Sequence, residues 1–137
     1  MKLVVHVDGG ARGNPGPAAA AAVISMPSGE LLEQRSELLG TATNNVAEYR
    51  ALLLGLARAH ELGAEEVEVI GDSELIAKQV NGVYKVKHAA MRELHVEAMK
   101  ALRGFRRWSV RTVPRAQNAQ ADALVNAALD ARQAASR

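Results

Sequence analysis

Residues 4–23, VVHVDGGARGNPGPAAAAAV, decide how this chain folds. Val5 and Val7 alternate with His6, which predicts a strand over residues 2–8 that ends on Asp8. Nine residues with four glycines and two prolines follow, too loose for a helix or a strand interior. Residues 18–26 are small and apolar and predict a second strand. An acid at a strand end before such a loop admits three readings: a turn, a phosphate loop or a metal site. GGARGNPG fits neither G-x-G-x-x-G nor G-x-x-x-x-G-K-[ST], so the phosphate loop drops out.

Working outward, MPSGEL at 26–31 predicts a hairpin turn into a third strand near 30–39, completing an antiparallel meander. That meander is foreign to a dinucleotide-binding unit. The period then changes. Val46, Tyr49, Leu53, Leu56 and His60 recur at three and four residues, with polar starters before them and Gly63 after, which predicts a helix. EEVEVIGDS (65–73) alternates and ends at Asp72, and SELIAKQVNG (73–82) reads as a short helix. A helix over 88–103, a strand at WSVRTV (108–113) and a helix over 118–133 complete the chain. The order βββαβααβα predicts an α/β fold, a mixed sheet with helices on its faces.

The 137 residues fit one domain, 1–137, large enough for its own core. Only 3% are aromatic, so Ala, Val and Leu must fill the interior. The absence of Cys excludes disulfides and thiolate metal sites. No apolar run reaches membrane-span length and no signal-peptide pattern opens the chain, so the expected compartment is cytoplasmic. The net charge of +2 is unevenly spread: residues 85–115 carry nine Lys/Arg against two Glu. On charge alone this block is either a polyanion-binding surface or a solvated helix face.

Four carboxylates stand out. Asp8 and Asp72 each follow an apolar strand, where sites in open α/β sheets gather. Each also has a plainer reading, Asp8 closing a turn and Asp72 capping the next helix. Glu48 near the start of the long helix could complete a capping box with Asn45. On the last helix Ala121, Leu124, Val125, Ala128 and Leu129 form the core stripe, while Asn118, Asp122 and Asn126 form a separate polar row. Asp122 therefore points into solvent or into a site. Brought together, such acids would suit hard divalent cations, but spacing alone does not bring them together.

The stretches VDGGARGNPGP, TNNVAEYRALLLGL, GDSELIAKQVNG and VPRAQNAQADALVNAAL resemble the successive motifs of the type-1 ribonuclease H family, in order and over nearly the whole chain. The resemblance implies the ribonuclease H-like fold, a five-stranded mixed sheet of order 3-2-1-4-5 flanked by helices. It implies cleavage of the RNA strand of RNA–DNA hybrids by two-metal-ion hydrolysis with Mg²⁺ or Mn²⁺, leaving 5′-phosphate and 3′-hydroxyl ends. The family's catalytic, metal-holding acids fall on Asp8, Glu48, Asp72 and Asp122, all unsubstituted. Asp8 would bridge both ions and Asp122 would be partly outer. Gly10, Asn14, Asn44 and Asn45 match minor-groove contacts that sense the 2′-hydroxyl, and Thr43 a DNA-phosphate contact. Arg12, Lys87 and His88 complete the expected substrate-binding set. The implied partner is a hybrid duplex, with no membrane, no protein partner and a monomeric state. Two alternatives stay open: a non-catalytic hybrid-binding module, and a related nuclease acting also on RNA–DNA junctions or duplex RNA.

The chain departs from better-known members in two places and resembles a short, archaeal-like or actinobacterial-like branch. The loop TVPRAQN (112–118) lacks the family's histidine, and Arg115 stands there instead. Arg115 is expected to touch the scissile or leaving phosphate as a fifth catalytic residue; otherwise it is a surface arginine. NGVYKVKHAAM (81–91) is too short for the basic protrusion of many bacterial members. Binding would fall to Lys85, Lys87 and the cluster from Arg103 to Arg107, and would be weaker and steeply salt-dependent. His6 and His60 read as packing positions and His95 as a surface one; Glu74 has no evident reason.

Overall fold

A computed structural model describes residues 1–135. Five strands form one sheet of order β3-β2-β1-β4-β5: β1 (Lys2–Ala11), β2 (Gly16–Ser25), β3 (Leu31–Ala42), β4 (Glu66–Gly71) and β5 (Arg107–Thr112). β1, β2 and β3 are the antiparallel meander, and β4 and β5 run parallel to β1. The helices are α1 (Asn44–Glu61), α2 (Glu74–Val80), α3 (Ala89–Arg103) and α4 (Ala119–Ala135), the last preceded by a 3₁₀ turn over Arg115–Asn118. The predicted class, element order and sheet order all match. Among the described residues no helix is long and apolar enough to cross a membrane.

With few aromatics, close approach replaces bulk. Ala18 to Ile24 of β2 are buried on both faces. Ala20, Ala22 and Ile24 face the main core with Leu3, Val5, Tyr49, Leu52 and Leu56, while Ala19 and Ala21 face Val125 and Leu129 of α4. Small side chains let a helix settle close on either side of the strand. α1 comes closest of all. Its buried face runs through Ala47, Ala51, Gly55 and Ala59, and a Cβ on Gly55 would stand 2.6 Å from Val5 Cγ1 and 3.0 Å from Val7 Cγ1. A bidentate ion pair, Arg58 Nε to Glu33 Oε2 at 2.6 Å and Arg58 Nη2 to Glu33 Oε1 at 2.8 Å, ties the outer strand β3 to the same helix.

One expectation needs correction. β1 does not end at Asp8 but runs to Ala11, because β2 pairs with it as far as Ala11–Ala18. What ends near Asp8 is the pairing with β4, whose last partners are His6 and Ile70. Beyond them β1 has a strand on one side only. The crevice at the carboxyl ends of the parallel strands opens there, and Asp8 stands at its edge.

Candidate active site

Three acids meet at this crevice. Asp8, Glu48 and Asp72 each offer a carboxylate oxygen, and the three oxygens lie within 4.8 Å of one another. β1 supplies Asp8, which is only 5% exposed. Asp72 follows β4, but it is not the helix cap: Ser73 is, its hydroxyl accepting from the Ile76 N–H at 3.3 Å. Asp72 is thereby left free of capping duty. Nor does Glu48 form a capping box with Asn45. Thr43 caps α1, accepting from the Val46 N–H at 3.2 Å, and Glu48 lies beyond the first turn.

Gly9 explains how Glu48 reaches Asp8. A Cβ on residue 9 would stand 2.1 Å from the Ala47 carbonyl oxygen and 2.6 Å from the Glu48 nitrogen. Only glycine lets β1 and α1 touch backbone to backbone there. The Gly9 backbone N–H also faces the Glu48 carboxyl and favours its charged form. This glycine therefore serves the packing of α1 against β1.

Crowding sets the electrostatics. Burial, then the Asp72 and Asp122 carboxylates, push Asp8 up to about 7. Burial, then the Asp8 and Asp72 carboxylates, push Glu48 up to about 9. The two carboxyls also act directly on each other, which favours the protonated form at Glu48 over that at Asp8. The donor set is all carboxylate oxygen, with more negative charge than the fold tolerates unaided. It fits a hard divalent cation, which would offset that charge.

Asp122 stands at the edge of this group. Its carboxylate acts on Asp8, but it lies outside the three-acid cluster. Arg115 Nη2 donates to Asp122 Oδ1 at 3.3 Å, and Asn126 Nδ2 to the Asp122 carbonyl at 3.1 Å. The Arg115 side chain is 79% exposed and lines, with Asp8, Gly9, Asn44, Glu48 and Asp72, an open cleft of about 320 Å³.

The other expected substrate contacts fall into three groups. Asn44 lines the cleft and Asn14 braces it: Asn14 Oδ1 accepts from the Asn44 N–H at 3.0 Å, and Asn44 Oδ1 from the Ala11 N–H at 2.9 Å. Asn45 and Thr43 start α1 beside them, and Gly10 is open, its nearest neighbour to a Cβ being Val125 Cγ1 at 3.8 Å. Lys87 and His88 are exposed on the segment between α2 and α3. Arg12 already has partners: its guanidinium pairs with Asp130 at 2.6 Å and reaches the Asn126 carbonyl at 3.4 Å, latching the β1–β2 loop to α4.

The basic cluster splits as well. Arg103, Arg106 and Arg107 sit where β5 begins, with the Arg106 N–H on the Glu65 carbonyl. β5 runs parallel to β4, so its start lies at the sheet end opposite the acids, about 20 Å away for six residues. His95 is not a surface residue: its ring stands edge-on to Tyr49 at 6.4 Å, with Nε2 3.2 Å from the Gln79 carbonyl. Glu74 gains a reason, pairing with Lys78 at 2.5 Å in the first turn of α2. The reading of the sequence missed Gly9 as a packing residue and Asn118 as a buried anchor. For Asn118 the signal was its place in the polar row it forms with Asp122 and Asn126.

A family profile described as "Reverse transcriptase-like" matches residues 6–128. A protein of Mycobacterium tuberculosis described as bifunctional is 47% identical over 132 residues, 96% of this chain and 36% of that protein. The chain thus spans about a third of the length of the mycobacterial relatives it matches. The crystal structure of RNase H1 from Halobacterium salinarum superposes with a TM-score of 0.93 at 42% identity, covering 95% of this chain and 98% of that one. LC11-RNase H1, solved in complex with an RNA/DNA hybrid, superposes with a TM-score of 0.91 at 40% identity, over 96% and 99% of the two chains.

Proposed function

The chain belongs to the ribonuclease H family, and from that premise we propose that it is a divalent-metal-dependent endoribonuclease cutting the RNA strand of RNA–DNA hybrids, with 5′-phosphate and 3′-hydroxyl products. The observation that carries this reading is the convergence of Asp8, Glu48 and Asp72 within 4.8 Å, on three different elements and at the family's motif positions. A hybrid-bound relative at 40% identity supports the substrate class.

Asp8, Glu48 and Asp72, with Asp122 at the edge, would hold two Mg²⁺ or Mn²⁺ ions. When bound, the ions would acidify the attacking water and neutralise charge on the departing 3′-oxygen. The chain's own part is placement. β1, α1 and the end of β4 hold the acids on rigid elements, so little reorganisation is needed on binding. The half-buried walls raise the electrostatic worth of each carboxylate by excluding water. Arg115, exposed at the rim beside Asp122, would meet a phosphate oxygen and offset its charge. Gly10, Thr43, Asn44 and Asn45 would follow the hybrid's minor groove, with Asn14 bracing Asn44, and Lys87 and His88 would contact a backbone phosphate. Arg12 we assign to the latch with α4 instead. The protein would act as a cytoplasmic monomer.

The test is a cleavage panel. One labelled strand is presented as RNA–DNA hybrid, duplex RNA, duplex DNA and junction, with Mg²⁺, Mn²⁺ or EDTA. Cleavage of the hybrid's RNA strand with either ion, absent with EDTA and lost in Asp72→Asn while hybrid binding persists, is the expected result. Binding without metal-dependent cleavage would leave only a hybrid-binding module.

A further inference from the structure

Asp122 reaches the site on a helix that must be told where to stop. The groups that brace it, Arg115 and Asn126, belong to its own helical segment and move with it. Its carboxylate and that of Asp8 repel each other when both are ionised. The apolar seating of α4, chiefly Val125 and Leu129 on Ala19 and Ala21 of β2, is non-directional. Something else must hold the first turn in register beside Asp8.

Asn118 has the geometry for it. Four residues before Asp122, on the same side of the helical segment, it is 1% exposed. Its Nδ2 donates to the Val7 carbonyl at 2.8 Å, one residue before Asp8. That carbonyl faces the β4 side, within 3.5 Å of where a Cβ on Gly71 would stand, beyond the last β1–β4 partners. A buried carbonyl there needs a donor that the departing strand no longer supplies. Asn118 provides it, and so ties the entry of α4 to the strand residue next to the central acid. The fold uses the amide's donor, since Asn118 Oδ1 makes no hydrogen bond among the described residues.

We propose that Asn118 is a positioning residue, whose hydrogen bond to Val7 sets where the Asp122 carboxylate stands relative to Asp8. The consequence for turnover rests on the hybrid-cleavage reading above; the clamp itself does not. Two measurements on the whole chain test it. Asn118→Leu keeps the volume and removes the donor. With hybrid and Mn²⁺, kcat should fall on the order of 10–100-fold, with KM within about threefold. In metal-free protein, amide exchange in the first turn of α4 should quicken at least tenfold while that of β2 is unchanged. Wild-type kcat in a folded variant, a loss confined to KM, or unaltered exchange would each overturn the proposal. If Asn118→Leu does not fold, Asn118→Ala is read by the same criteria; failure of both to fold would make Asn118 a folding determinant and end the positional reading. A wild-type chain that cleaves no hybrid sinks the functional reading alone, and the exchange arm then decides the clamp.

Discussion

Gly9 and Glu48 meet backbone to backbone, and this contact joins the central strand to the helix that carries the second acid. A Cβ on residue 9 would lie 2.1 Å from the Ala47 carbonyl oxygen, a distance that neither backbone can relieve locally. Gly9→Ala should therefore cost about 3 kcal/mol of stability and weaken Mn²⁺ binding, because α1 must lift from β1. Gly10→Ala is the control. Its Cβ would meet only Val125 Cγ1 at 3.8 Å, so its stability should stay within about 0.5 kcal/mol. Urea unfolding and calorimetric Mn²⁺ titration of both variants check this. Equal stabilities would show that the close approach is not required.

A second prediction concerns pH. Glu48 is raised from 4.5 to about 9 and Asp8 from 3.8 to about 7, so the fold favours their protonated forms. Their contribution to stability is fully present below the unfolded values and is lost as pH rises through the folded ones. The metal-free protein should lose stability between about pH 4 and 9. Glu48→Gln, which stays neutral, should melt higher than the wild type at pH 8.5 and close to it at pH 4. Mg²⁺ or Mn²⁺ should stabilise the wild type most at the alkaline end and the variant far less. Melting curves across pH with and without metal decide it. A wild type equally stable at pH 4 and 8.5 without metal would show that the cluster is not under charge strain.

Period and punctuation made the elements legible. The meander, the long helix and the alternating strands rest on apolar spacing that the structure respects. The unread parts are contacts between backbones. Val46, Leu53 and Leu56 marked α1, yet the face nearest the sheet is Ala47, Ala51, Gly55 and Ala59, whose small size carries no hydropathy signal. The end of a strand is likewise ambiguous when one neighbour leaves before the other, which is why β1 seemed to stop at Asp8. Local pattern presented the acids with capping roles as competing explanations. Only the positions of Thr43 and Ser73 as the true caps removed those alternatives. The basic block could not be divided from the sequence for a related reason: charge counts do not reveal which end of a parallel strand a side chain occupies.

Arg115 offers a third test. Its side chain is 79% exposed and it pairs with Asp122 at 3.3 Å, so it adds little to stability. Arg115→Ala should leave the melting temperature within about 2 °C. Turnover of hybrid should fall roughly tenfold or more, the scale expected when a charge-assisted contact to a phosphate is removed. Arg115→Lys should recover only part of it, because a point charge replaces a planar fork. Unchanged turnover in Arg115→Ala would reduce this residue to a surface cation.

The last prediction separates two cation groups that the sequence presents as one. Lys85 and Lys87 are exposed on the segment between α2 and α3, beyond the helix that follows Asp72. Arg106 and Arg107 lie at the opposite end of the parallel strands. A hybrid seated over the acids should engage the first pair and not the second. Affinity should fall steeply with salt, because each phosphate contact releases condensed counterions. Replacing Lys85 and Lys87 together with Ala should weaken binding and lower the slope of log K against log salt by about one per lost contact. Replacing Arg106 and Arg107 should change neither. The check is hybrid binding by an Asp72→Asn background protein, measured from about 50 to 200 mM salt. If the Arg106 and Arg107 replacements flatten the slope as much as the lysine pair does, the duplex must run across the far end of the sheet, and the docking over the acids is wrong.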